Sequence, residues 1–112
     1  MENRRWSTRI KKVLNLQYRA SSMQYLSGTV LNLSYSGVRI VMSASEAQAG
    51  PFVEMRIDLG NGEICHLTAR RIWQAQAGPH SCVVGLRFHR VSCRARAQLA
   101  QYVANGLWEP AA

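Results

Sequence analysis

Apolar and polar residues alternate along most of this chain. From Phe52 to Leu59, Val53, Met55, Ile57 and Leu59 fall on one face of an extended segment, and Glu54, Arg56 and Asp58 fall on the other. A period of two is the pattern of a strand with one face buried and one face in water. Cys82, Val84, Leu86 and Phe88 alternate in the same way with Gly85, Arg87 and His89, and Val38, Ile40 and Met42 line one face of a short strand after Gly37. Residues 63–75 form a longer, less regular stretch, and 13–20 and 23–33 complete a set of six predicted strands. The breaks carry turn chemistry: Ala49-Gly50-Pro51, Gly60-Asn61-Gly62 and Ala77-Gly78-Pro79. Gly60-Asn61-Gly62 suits a hairpin connection, because glycine and asparagine tolerate positive φ. Short strands joined by tight turns predict an all-β domain, and closing six of them into an antiparallel barrel removes the exposed edges.

The period changes only near the end. Ser92 is placed to cap a helix beginning at Cys93, with Ala95, Leu99, Tyr102 and Val103 on one face and Arg94, Arg96, Gln98 and Gln101 elsewhere. Asn105-Gly106 supplies the stop. This C-terminal α-helix is expected to pack on the barrel or to plug one end. The expected organisation is a single domain: a basic arm over 1–11, the barrel over 12–91 and the helix over 92–106.

The chain has 112 residues, enough for one modest core, and 47% of them are apolar, too many for a disordered segment. No run approaches the ~20 apolar residues of a membrane span, and no apolar stretch of secretory-signal length follows the charged start. Cys65, Cys82 and Cys93 form an odd set without CxxC spacing, and read as reduced thiols. A cytoplasmic location is therefore expected. The starting methionine and short tail favour a free-standing protein over a domain cut from a larger enzyme such as a polysaccharide synthase.

Charge narrows the partner. Fourteen Lys and Arg against six Asp and Glu give a formal net charge of +8, and the pI is near 10.3. An anionic partner follows: nucleic acid, nucleotide, acidic lipid or acidic protein. Arg4, Arg5, Arg9, Lys11, Lys12 and Arg19 crowd the first twenty residues, and Arg87, Arg90, Arg94 and Arg96 form a second group.

Catalytic chemistry is thin. His66, His80 and His89 share no spacing with carboxylates, the six acids are scattered, and there is no phosphate-binding GxxxxGK[ST] and no nucleophile elbow. Cys65, His66 and Cys82 lack a fourth metal ligand. Neither an enzyme, a metal centre nor a bound cofactor is expected.

Two patches remain. Arg4-Arg5-Trp6-Ser7-Thr8-Arg9 contains an RxxxR spacing at Arg5 and Arg9, and Asn32-Leu33-Ser34-Tyr35-Ser36-Gly37 is an NxSxxG between two strands. Each alone is weak; their order and their placement before and within a small β-fold carry the signal. With them the chain resembles the PilZ family of bacterial cyclic di-GMP receptor domains. The resemblance continues in Ala69-Arg70-Arg71-Ile72-Trp73 and in Val84-Gly85-Leu86-Arg87-Phe88, and runs over roughly residues 4–103. Ser36 departs from the pattern, since many members carry glycine there, which bears on the loop's conformation.

The resemblance implies a six-stranded barrel that binds cyclic di-GMP through Arg4, Arg5, Arg9, Asn32, Ser34 and Gly37. The chemistry suits them. A guanidinium fork matches phosphate oxygens or the O6/N7 edge of guanine, and its plane stacks on a purine. Asn32 offers an amide to guanine, Ser34 a hydroxyl to phosphate or base, and Gly37 a close backbone approach. Arg4 adds electrostatics or a further guanine contact. Trp73 reads as core or barrel rim before ligand platform. The ligand is expected as one molecule or a stacked pair, on a monomer or weak dimer. Arm closure would relay binding to an unidentified downstream protein in motility, biofilm or exopolysaccharide control. Two alternatives stand beside this reading. One is a small basic barrel for single-stranded nucleic acid, disfavoured because charge occupies the outward strand positions where stacking aromatics would sit. The other is a PilZ-like adapter that binds only protein.

Overall fold

A computed structural model describes residues 14–21, 23–60 and 62–104. They form strands β1 (Asn15–Arg19), β2 (Leu26–Leu33) and β3 (Gly37–Ser43), a single helical turn α1 (Ala44–Ala47), strands β4 (Phe52–Asp58), β5 (Ile64–Gln76) and β6 (Ser81–Phe88), and helix α2 (Cys93–Tyr102). The strands close into a barrel in the order β1-β2-β3-β6-β5-β4. Every pair is antiparallel, and β1 completes the circle against β4 from Asn15↔Asp58 to Arg19↔Glu54. All six predicted strands are present within a few residues of their expected ends. The arm residues 1–11 and the Asn105-Gly106 stop lie outside the described residues.

Alternation decides what goes inside. Leu16 and Tyr18 of β1, Ile40 and Met42 of β3, Val53, Met55 and Ile57 of β4, and Val84 and Leu86 of β6 are buried, and their neighbours in sequence face outward. Filling a small barrel with side chains makes it a packed core and not a pore. Tyr18 is the largest of them; its phenol oxygen accepts a hydrogen bond from the Ser43 amide at 2.7 Å, so the ring is buried with its polar end satisfied. The Gly60–Gly62 connection uses positive φ at both glycines (92° and 85°), and the Gly60 amide donates to Asp58 at 2.8 Å.

Helix α2 starts where the sequence places it: the Ser92 hydroxyl accepts from the Ala95 amide at 3.0 Å. Ala95 and Leu99 join the core. The helix seats against the start of β5, where the Cys65 thiol points to the Ala95 carbonyl and Gln98 donates to the Ile64 carbonyl at 3.4 Å. Turn α1 is an element that alternation does not announce. Ser43 caps it, and Glu46 turns back to accept from the Ala20 and Ser21 amides at 2.8 and 3.1 Å. A four-residue turn is too short to show a helical period, and only its cap and its tertiary bonds sustain it.

Candidate functional site

Two β-bulges build the site. On β2 the register against β3 runs Val30↔Ile40 and then Asn32↔Arg39, leaving Leu31 as the extra residue. On β5 the register against β6 runs Arg71↔Leu86 and then Trp73↔Gly85, leaving Ile72 as the extra residue. A one-residue slip moves every following side chain to the other face of a sheet. Without the bulges, Asn32 would pair with Val38 and Trp73 with Val84, both inward-facing core positions. With them, Asn32 and Trp73 stand on the outer face.

The consequence is one continuous outward row across four strands. Asn32 of β2 lies beside Arg39 of β3, Arg39 beside Gly85 of β6, and Gly85 beside Trp73 of β5. The next outward row carries Gly37, Arg87 and Arg70. Around these rows is a concave cavity of about 260 Å³, lined by Asn32, Ser34, Ser36, Gly37, Val38, Arg39, Ile72, Trp73, Gly85, Leu86 and Arg87. Its lining contains two arginines and no carboxylate among the described residues. Such a surface is built to accept an anion.

The loop between β2 and β3 is tied by Ser34. Its hydroxyl donates to the Gly37 carbonyl at 3.1 Å and accepts from the Gly37 amide at 3.1 Å and the Ser36 amide at 3.3 Å. The Ser34 amide also donates to the Gly37 carbonyl at 2.9 Å, and the Ser36 carbonyl accepts from the Phe88 amide on β6. One donor and two acceptor positions exhaust a hydroxyl. Ser34 therefore shapes the turn with all of its hydrogen-bonding capacity. Gly37 has an equally local requirement, since a Cβ there would overlap the Leu86 carbonyl oxygen and stand 3.5 Å from the Arg87 Cα. Glycine lets β3 approach β6 at this point and keeps the cavity floor low beside Arg87.

Of the residues singled out from the sequence, Asn32, Ser34 and Gly37 come together on this cavity. Arg4, Arg5 and Arg9 lie outside the described residues, as does Trp6. Tyr35 is exposed but does not line the cavity, whereas Arg39 does. Trp73 sits at the rim, nearly half exposed, as part of the cavity wall. Arg87 and Gly85 also line the cavity, and neither is among the candidates the sequence offered. Alternation already put both on the polar face of β6; what it lacked was the pairing of β6 with β3, which no local pattern reveals. His89, on the polar side of the β6 alternation, is half-buried and packs its ring against Phe52, centroids 5.0 Å apart.

A second concavity, of about 490 Å³, lies on another side of the barrel and includes Asn15, Gln17, Ser27, Arg56, Asp58 and His66. It mixes a carboxylate with an arginine and contains none of the motif residues. Among the described residues no group of three or more His, Cys, Asp or Glu could hold a metal ion, and no helix is long and apolar enough to cross a membrane.

Comparison with known proteins identifies the fold. The family model for the PilZ domain matches residues 3–105. A search of curated proteins returned no match. Among solved structures, the chain is similar to the inhibitor of motility MotI/DgrA of Bacillus subtilis, with a TM-score of 0.68 at 16% identity over 84% of this chain. It spans 46% of that protein, less than half its length. It is similar to the cyclic di-GMP-bound PilZ domain of YcgR from Escherichia coli, with a TM-score of 0.66 at 19% identity, covering 85% of this chain and 81% of that one. The PilZ domain of CeSA from a cellulose-synthesising bacterium matches with a TM-score of 0.60 at 21% identity, covering 86% and 94%. At these identities the likeness is one of fold.

Proposed function

The chain belongs to the PilZ domain family, and from that premise we propose that it is a receptor for cyclic di-GMP. The observation that carries the reading is the outward row Asn32–Arg39–Gly85–Trp73, set by two bulges beside a carboxylate-free cavity. Each group has a task a cyclic dinucleotide would set. Asn32 supplies an amide to a guanine edge, Arg39 and Arg87 face the phosphates, and the Trp73 ring is a stacking surface for a base. Ser34 and Gly37 fix the turn on which Asn32 is displayed. Arg5 and Arg9, with Arg4 beside them, complete the site from the N-terminal arm and clamp the ligand bidentately.

The protein binds without transforming its ligand, and arm closure alters the surface a downstream partner meets. The fold likeness to an inhibitor of motility supports motility control as the output, with biofilm and exopolysaccharide control as related outputs. Three unpaired cysteines fit a reducing, cytoplasmic setting.

Calorimetric titration of the purified chain tests the reading, with GMP and a short oligonucleotide as controls. Saturable binding selective for cyclic di-GMP, and lost in R5A/R9A, is the expected result; its stoichiometry separates one ligand from a stacked pair. Folded protein that binds no cyclic di-GMP by calorimetry or by an optical assay would overturn it, and binding of the oligonucleotide instead would favour a nucleic-acid role.

A further inference from the structure

Resting on the cyclic di-GMP reading, we propose that Gly85 is a positioning residue of the ligand site: the space left by its missing side chain holds the Trp73 indole against β6. Gly85 occupies an outward register position, between Arg39 and Trp73, yet it is buried. The covering group is the indole. A Cβ on Gly85 would stand 2.5 Å from Trp73 Cε2 and 2.9 Å from Cδ1, and would overlap Nε1. The pyrrole half of the ring thus rests on the Gly85 backbone, while nearly half of the residue stays exposed at the cavity rim.

Glycine inside a strand is otherwise unfavourable, because it gains no packing and loses the most backbone freedom. Here the missing side chain has a definite use. The Ile72 bulge turns Trp73 outward, and Gly85 lets it lie flat once there; either feature without the other leaves the indole elsewhere. The ring is rigid, so even one methyl group at position 85 displaces it as a unit. The ligand then loses the far wall of the row that begins at Asn32. Gly85 acts on the ligand by seating Trp73.

The test uses the full chain labelled with 5-fluorotryptophan, with the Trp73 fluorine resonance assigned through W73F. In the free protein, Gly85→Ala is expected to shift the Trp73 resonance. It is expected to weaken cyclic di-GMP binding by about tenfold, the loss of one base–aromatic stack. In a W73A background the same substitution is expected to cost nothing further, since residues acting through one contact are non-additive. An unchanged Trp73 resonance, or an equal loss of affinity in the W73A background, would overturn the proposal. Should G85A fail to fold, recovery of a cooperative unfolding transition in W73A/G85A supports it, and no recovery refutes it. A wild-type chain that binds no cyclic di-GMP overturns the ligand role, while the resonance of the free protein separately reports whether Gly85 seats the indole.

Discussion

Ser34 illustrates how a motif residue works at the scale of single atoms. Its hydroxyl is saturated within the 34–37 turn, so its removal acts first on the backbone that displays Asn32. Ser34→Ala is expected to cost about 1 kcal/mol of stability, the net worth of such hydrogen bonds, and to weaken cyclic di-GMP binding as well. Urea denaturation and titration of the same variant check both; full affinity in a destabilised S34A would show that the turn does not shape the site. The NxSxxG spacing made Ser34 visible in the sequence, but the direction of its hydrogen bonds depends on the β2–β3 turn and could not be read there. The cysteines behave similarly. Cys65 and Cys82 are buried and Cys93 is exposed, and burial, reinforced by Glu63, pushes the Cys65 thiol up to about 11. A brief thiol-alkylation pulse on the native protein is expected to modify Cys93 alone, with Cys65 and Cys82 labelled only in denaturant, as mass spectrometry of the digest reports.

Elements are held by bonds between distant segments, and two of these bear predictions. The buried Glu46 of α1 accepts from the Ala20 and Ser21 amides, with the Ser21 hydroxyl at 3.3 Å. Replacing it by alanine strands those donors, and E46A is expected to lose about 2 kcal/mol in chemical denaturation; a loss within error would remove Glu46 as the tie between α1 and the β1–β2 loop. The second is the α2–β5 junction, where desolvation raises both Cys65 and Tyr102 above their usual values. A neutral thiol held up in the folded state contributes stability that is full below the unfolded value near 9.0 and is lost as pH rises through about 11. Stability is therefore expected to fall over that interval, and less steeply in C65A; identical slopes would exclude the thiol. Strands and helix α2 were legible because alternation and the Ser92 cap are local signals. The bulges at Leu31 and Ile72 were not, because an extra residue is defined only against the partner strand. That is also why Trp73 read as core or rim: without the Ile72 bulge its parity is that of an inward residue.

At the scale of the whole molecule, closure of β1 on β4 leaves no open sheet edge among the described strands, and the cavity beside Asn32 and Trp73 lies on the outer surface. The net charge of +8 would serve a polyanion as well as a small ligand, and salt separates the two. A ligand with two phosphates should give a slope of about 2 or less in a plot of log Kd against log salt concentration, whereas a bound polynucleotide releases more counterions and gives a steeper one. The RxxxR pattern of Arg5 and Arg9 was legible, but both residues lie outside the described ones, and that they meet the same ligand as the cavity is a proposal. Amide and arginine side-chain NMR shifts during titration with cyclic di-GMP test that claim most directly. Saturable shifts are expected at Arg5, Arg9, Asn32, Gly37, Arg39, Trp73 and Arg87, with Gln17, Arg56 and His66 on the other concavity left unmoved. Shifts confined to that other concavity, or none at any ligand concentration, would contradict it.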